Sequence, residues 1–356
     1  MLRYRDEKIA LKIVSKLKAL SLNITVMHVC GTHQDTLVRF GLEQLLRNAG
    51  AEIRQGPGCP VCVTTPKEIE EAILLAKKGF VITSFGDIIR VPGIKYSLAD
   101  TRALGCKIKI VYSVDDAIEL ARKTNNEVVF LAIGFETTAP STASAILNSP
   151  PDNFSILSCH RLIPPALKAI IELGELKLHG LIEPGHVSTV IGAKPYEFIS
   201  KDYKIPQVIA GFEPLDLLMA VYMLAKQIKS ENPKVEIEYT RSVKYDGNKK
   251  ALSIMNSVFE PCDVAWRGFP LIPNSGLKLR AEFERYDAHK KFELQLKELE
   301  GIEPKEPKGC KCGEILRGLL DSEDCPLFGK SCTPATPVGP CMVSREGNCN
   351  IRFRYG

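Results

Sequence analysis

Apolar and polar positions along the chain follow two periods in turn. "NITVMHVC" (Asn23–Cys30) is a nearly continuous apolar run, as a strand buried on both faces requires. It leads into "GTHQDTLVRFGLEQLLRNAG", where Leu37, Val38, Leu42, Leu45 and Leu46 recur at helical spacing and Gly50 is placed for a left-handed cap. "FVITSF", "IKIVYSV", "VVFLAIGF", "FSILSC" and "PQVIAGF" are further strands of the same apolar kind. "DDAIELARKT" reads as a helix, with Asp115 and Asp116 at its positive end. Strands that do not alternate, separated by helices, predict an α/β fold with two similar doubly wound parallel-sheet units. A faint internal echo agrees: "AIGFETTAP" and "IAGFEPLDL" each place Gly-Phe-Glu at a strand-to-helix turn, at Glu136 and Glu213.

After about Asn232 the pattern changes. "EIEYTRSVKYDGNKKAL" reads as a strand, a turn at Asp246-Gly247 and a helix. "HKKFELQLKELEGIEPKEPKG" reads as a polar helix running into a Pro, Lys and Glu-rich linker. From Cys310 the chain is loop-rich and has little with which to pack a core, so a metal centre would have to supply what burial cannot.

Composition narrows the classes. The chain has 356 residues, 45% hydrophobic and 25% charged, ordinary for a globular protein with two or three domains. A net charge of +5 without a basic stripe argues against a nucleic-acid partner. "MLRYRDEKIALKIVSKLKAL" has the character of neither a signal peptide nor an anchor. No apolar run approaches the roughly 18 residues of a membrane span, so a cytoplasmic location is expected. Cysteine is the unusual component: there are 12, half of them after Gly309. In a reducing compartment such clustering reads as metal or redox chemistry.

Three thiol constellations stand out. In "RQGPGCPVCVTTPKE", Cys59 and Cys62 lie just ahead of a helix start with Thr65 as N-cap, Pro66 at the first position and Glu68 completing a capping box. The helix end favours thiolate, so a redox dithiol, half of a zinc site or a plain structural turn are the alternatives. In "HVCGTHQDT", Cys30 ends a parallel strand where doubly wound sheets bind ligands, with Thr32 placed to cap the helix and His33 as a ligand or proton donor. If the Cys30 strand adjoins the Cys59/Cys62 loop, three soft ligands converge on one cleft. The third set is Cys310, Cys312, Cys325, Cys332, Cys341 and Cys349. Structural zinc usually shows two close pairs, whereas these gaps are wide and uneven, as an iron–sulfur cluster tolerates. Cys106 and Cys262 read as idle thiols, and Cys159-His160 as a buried structural pair. Asp87, Glu136, His186 and Glu213 sit at loop positions where ordering a cleft, binding a partner and capping a turn are comparable readings.

Taken together, "HVCGTH", "GPGCPVC", "SFGDIIRVPG", "GFETTAP", "EPGHVS", "AGFEP" and the tail ending "CMVSREGNC" closely resemble the HypD family of hydrogenase maturation factors, along essentially the whole chain. The resemblance implies a role in assembling the Fe(CN)2CO group of [NiFe] hydrogenases, with a small HypC-type partner and, transiently, a HypE-type cyanide donor. It implies a [4Fe–4S] cluster on Cys310, Cys325, Cys332 and Cys349, whose gaps of 14, 6 and 16 residues match the family's. It implies a redox-active pair in Cys312 and Cys341, and iron binding and electron transfer at Cys30, Cys59 and Cys62. Three domains follow: 21–123, 124–232, and 1–20 with 233–356. A smaller α+β, loop-rich iron–sulfur domain is the last of these, and a monomer is expected. The relay expected on this basis runs from the cluster to Cys312/Cys341, then to Cys59/Cys62 and the ligand on iron. Cys30 would be the principal iron thiolate, with His33 behind it. The competing functions are a general iron–sulfur thiol–disulfide oxidoreductase and a zinc-bound binding module.

Overall fold

The computed structural model describes residues 5–302 and 306–356. The expected domain limits that reach residues 1–4, and the linker at Glu303, Pro304 and Lys305, lie outside the described residues.

Among the described residues, eleven strands form three sheets. In chain order they are β1 (Ile24–His28), β2 (Ala51–Gln55), β3 (Val81–Ser84), β4 (Ile108–Ile110), β5 (Val128–Gly134), β6 (Phe154–His160), β7 (Gly180–Pro184), β8 (Gln207–Ala210), β9 (Val235–Ile237), β10 (Phe259–Ala265) and β11 (Leu271–Leu279). A five-stranded sheet has the order β2-β1-β7-β8-β9 and a four-stranded sheet the order β4-β3-β5-β6. Every pairing within them is parallel. Their inner strands β3, β5 and β8 are buried at every position, which is why they read as unbroken apolar runs. β10 and β11 form an antiparallel hairpin whose register shifts between Cys262 and Val264.

The two large sheets do not divide the chain at one point. The five-stranded sheet takes β1 and β2 from one end and β7 to β9 from beyond residue 180, and the whole four-stranded sheet is inserted between. The expected limit at 123/124 therefore falls inside the four-stranded sheet, between β4 and β5. Short apolar strands specify that they are buried but not which strand they pair with, so the sequence pattern carried no sign of the insertion.

Helices begin where their caps dictate. α1 (Glu7–Lys18) starts at Asp6, whose side chain accepts from the Ile9 amide. The helical pattern after Cys30 is two helices, α2 (Gly31–Arg39) and α3 (Leu42–Arg47), separated at Gly41, which adopts φ +63°. Cys30 itself, rather than Thr32, is the N-cap of α2. α4 (Pro60–Val63) is a single turn, and α5 (Pro66–Lys77) opens with the expected Thr65/Glu68 capping box. Glu68 also receives both Arg161 contacts, at 2.6 and 2.7 Å. Burial opposes its charge, but Arg161 and Thr65 hold it below the usual carboxylate range. Arg161 itself is buried and also donates to the Ala265 carbonyl, so one guanidinium ties β6, α5 and the hairpin together.

The polar helix expected from His289 is instead a series of short turns, Ala288–Lys291, Glu293–Leu296 and Lys297–Leu299. Beyond residue 306 the chain makes one-turn helices and loops before a closing helix, Asn348–Tyr355. Among the described residues no helix is long and apolar enough to cross a membrane.

Candidate functional site

The strand order of each large sheet reverses once, between β1 and β7 in one and between β3 and β5 in the other. Such reversals leave a crevice at the carboxyl ends of the strands. A cleft of 440 Å³ opens here, lined by the ends of β1 and β7 and by the loop after β5. Val29, Cys30, Gly31 and Thr32 line it from the end of β1, Pro184, His186 and Val187 from β7, and Phe135 and Thr137 from β5. Gly58, Pro60, Tyr239 and Glu346 complete the wall.

Cys30 is the one sulfur among the lining residues. Two close approaches fix it. The Gly31 amide donates to the Gly58 carbonyl at 3.3 Å, and a Cβ on Gly58 would lie 2.1 Å from the Cys30 nitrogen. A Cβ on Gly31 would lie 2.5 Å from the Cβ of Glu346, so only glycine lets the tail reach the cleft. Cys30 caps a helix, yet burial dominates and pushes its thiol up to about 12, with the Glu346 carboxylate acting in the same direction. A metal must therefore displace a proton here.

Cys59 and Cys62 sit directly behind this wall and are bonded to each other as a disulfide. Cys59 is the N-cap of α4, and its Sγ accepts from the Cys62 amide at 3.2 Å. Both are fully buried, so they adjoin Cys30 through Gly58 without opening into the cleft. Arg267 holds the outgoing chain: its amide donates to the Val63 carbonyl and its Nε to the Thr64 carbonyl.

His33 lies on the buried face of α2, away from the cleft lining. It is fully buried, its Nε2 donates to the Ala210 carbonyl at 3.3 Å, and its ring packs on Phe212. Burial pulls its pKa down to about 3, so it is neutral. His186 is the histidine that faces the cleft, stacked on Phe212 at 3.9 Å. Phe135 is backed by Trp266 of the hairpin turn. Glu136 turns inward, where one oxygen accepts from the Ile163 amide, and burial raises it to about 7. Glu183, next to Pro184, is fully buried with no partner on either oxygen, and burial raises it to about 8.

Glu213 is a helix cap paired with Arg5, and Asp87 is exposed on its loop. His160 is buried between Thr138 and Thr142, and Cys159 lies beside it in the core. Cys262 lines a separate groove with Glu68, Glu71 and His289, while Cys106 is half-buried against the core.

The tail gathers its thiols around one small cavity. Cys310, Cys312, Cys325, Cys332 and Cys349 line it, within a shell of Ile315, Leu327, Phe328 and Met342. Cys312 lies within interaction reach of both Cys310 and Cys341, and Cys341 stands outside the lining and is fully buried. Burial raises Cys349 to about 12. Four or more soft donors in an apolar shell fit a thiolate-bound cluster. Among the described residues no group of three or more His, Cys, Asp or Glu side chains is arranged to hold a metal ion. The one-turn helix Pro340–Val343, which carries Cys341, packs against α4, which carries Cys62. The two sulfur regions are thus neighbours in the fold.

Glu346, Tyr239 and Thr137 of the cleft were not singled out from the sequence. Glu346 had a signal, since it lies in the "SREGNC" run; Tyr239 had none, because its loop follows a three-residue edge strand.

A family model described as "HypD: Hydrogenase formation hypA family" matches residues 6–356. The chain is 46% identical over 362 residues to a putative hydrogenase expression/formation protein of Methanocaldococcus jannaschii, covering 100% of this chain and 99% of the relative. It is 41% identical to the hydrogenase maturation factors HypD2 of Bradyrhizobium diazoefficiens and HypD of Cupriavidus necator, each over 99% of this chain and 96% of the relative.

Proposed function

The chain belongs to the HypD family, and on that premise we propose that it is the scaffold and redox protein on which an Fe(CN)2CO group is assembled during hydrogenase maturation. The observation that carries the reading is the order of the sulfurs. A gathered set of tail thiols, the Cys312/Cys341 pair, the Cys59–Cys62 pair and Cys30 at the cleft follow one another through packed elements.

The roles divide by exposure. Cys30 is the iron thiolate, because it is the sulfur that lines the cleft, and a HypC-type partner supplies a second thiolate from the open side. Soft thiolates suit low-spin iron carrying cyanide and carbon monoxide. Cys59 and Cys62 store an electron pair. Reduced, they convert a protein thiocyanate to a thiol and hydrogen cyanide while they become the disulfide: R–SCN plus two thiols gives R–SH, HCN and one S–S bond. A HypE-type protein is the transient donor. Cys310, Cys325, Cys332 and Cys349 would hold a [4Fe–4S] cluster, whose chemistry when bound would be one-electron transfer. Cys312 and Cys341, touching each other beside that cavity, form a dithiol that combines single electrons into pairs. His33 keeps the floor of the Cys30 segment in place as a neutral hydrogen-bond donor.

A general thiol–disulfide oxidoreductase is less well supported. Such a protein needs only a dithiol, and here a third sulfur, Cys30, lines the cleft beside the Cys59–Cys62 pair.

The test is iron and acid-labile sulfide analysis on anaerobically purified protein, with an infrared spectrum of its HypC complex. About four iron and four sulfide, with bands of metal-bound cyanide and carbon monoxide, are expected. A cluster without those bands, in a complex made with the other maturation factors present, would refute the scaffold role. Cys30→Ala should lose the bands and keep the cluster; bands retained in that complex would remove Cys30 as the thiolate.

A further inference from the structure

The Cys30 segment and the Cys349 loop are joined by a buried polar chain that the roles above do not use. His28, fully buried two residues before Cys30, has its Nε2 2.8 Å from the Gln34 Oε1. Gln34 is 1% exposed and donates from Nε2 to the Asn348 Oδ1 at 3.0 Å and to the Glu43 Oε1 at 3.2 Å. With both amide hydrogens committed, its oxygen accepts, so the proton on that side of His28 sits on Nε2. The other ring nitrogen of His28, Nδ1, is buried without a hydrogen-bond partner, and burial keeps the ring neutral, at about 4. Asn348 is covalently next to Cys349. Arg352, one turn on in the same helix, returns to Glu43 at 2.7 and 2.8 Å. Every link is buried or partly buried, which makes each bond costly to leave unmade.

We infer that Gln34 is a positioning residue that couples the Cys349 loop to the Cys30 segment, so that filling or emptying the tail cavity resets how Cys30 is presented to the cleft. The inference rests on the proposed roles of Cys30 and Cys349. Its physical basis is rigidity: α2 begins at Cys30, Gln34 lies in its second turn, and one amide grips both the strand before Cys30 and the helix that starts beside Cys349. A displacement of Asn348 therefore has to be taken up by Gln34 or by the turn at Cys30.

The experiment uses full-length protein, purified anaerobically and then split into an iron-loaded half and a half stripped with a chelator. Iodoacetamide labelling of Cys30 is followed by mass spectrometry of its peptide, with iron and sulfide measured on each sample. In the unaltered protein the labelling rates of the two halves should differ by about 2- to 30-fold. Gln34→Leu removes all three bonds and should bring the ratio to about one. Asn348→Ala cuts only the tail side and leaves Gln34 bonded to His28 and Glu43; it should do the same, and it keeps the test informative should the Leu variant not fold. A ratio that survives in a folded Asn348→Ala protein with its iron in place overturns the coupling. Equal rates in the unaltered protein overturn it as well. Protein that takes up no iron and sulfide overturns the cluster assignment first, which the metal analysis reads separately.

Discussion

Two regions of this molecule hold sulfur in different ways. At the cleft, Cys30, Cys59 and Cys62 are set by regular structure: the end of a central parallel strand, two helix caps and a buried arginine pair. In the tail, Cys310 to Cys349 are set by one-turn helices and loops around a cavity. The first arrangement is complete as protein. The second surrounds a space, and ligation is what would tie its loops together. On the proposed roles, the difference separates a site open to cargo from one built around a resident group.

The comparison breaks if the tail proves as self-sufficient as the cleft. Stripping iron should make residues 306–356 at least about tenfold more sensitive to protease while the two parallel sheets keep their amide protection, as local stability permits. Equal protection throughout would mean that the tail folds by itself. Next in size is Arg161→Leu, which leaves Glu68 buried without its partner and should cost about 3–5 kcal/mol in denaturant unfolding. That loss should be the same with and without iron, and dependence on iron would show that the two regions share one support. Gly31→Ala forces a methyl against Glu346 and should cost about 1–3 kcal/mol, with an altered cleft, because the obstacle is backbone as well as side chain.

The smallest effect is one of pH. Glu183 is raised from its ordinary value to about 8 by burial, so its contribution is fully present below about pH 4.5 and is lost as pH rises through about 8. Glu183→Gln should remove that decline and be more stable than the parent protein at pH 8. Parallel pH curves for the two proteins would show that the carboxyl finds a partner on ionising.

Much of this was legible from residue pattern. The unbroken apolar runs marked β1, β3, β5, β6 and β8, and the Thr65-Pro66-Glu68 triplet located the start of α5, because burial on both faces and capping are local requirements. β2 and β7 were not singled out. "AEIRQ" alternates as an edge strand, and "GLIEP" carries an unpaired glutamate into the core. The hairpin was obscured by Pro261 and its shifted register. At the site, helix-end reasoning favoured thiolate at Cys59 and Cys62, whereas the structure pairs them, and at Cys30 burial outweighs the helix end. The arrival of Glu346 beside Gly31 joins positions far apart in the chain, and no local rule anticipates it. His33 illustrates the same limit: its place in the motif was visible, but the face of α2 on which it lies was decided by packing on Phe212.

The insertion of one sheet within the other has a consequence for synthesis. β1 emerges early but cannot bond its inner neighbour until residues 154 positions later exist, as in the Thr25 contact with His179. Gln34 waits 314 positions for Asn348. At about 5–20 residues per second, that is roughly 15 s to a minute on the ribosome. During that interval the inserted four-stranded sheet can fold on its own contiguous segment while the half-built cleft leaves Cys30 uncovered. A nascent chain therefore carries Cys30 exposed and its cleft unfinished until the tail closes over Gly31.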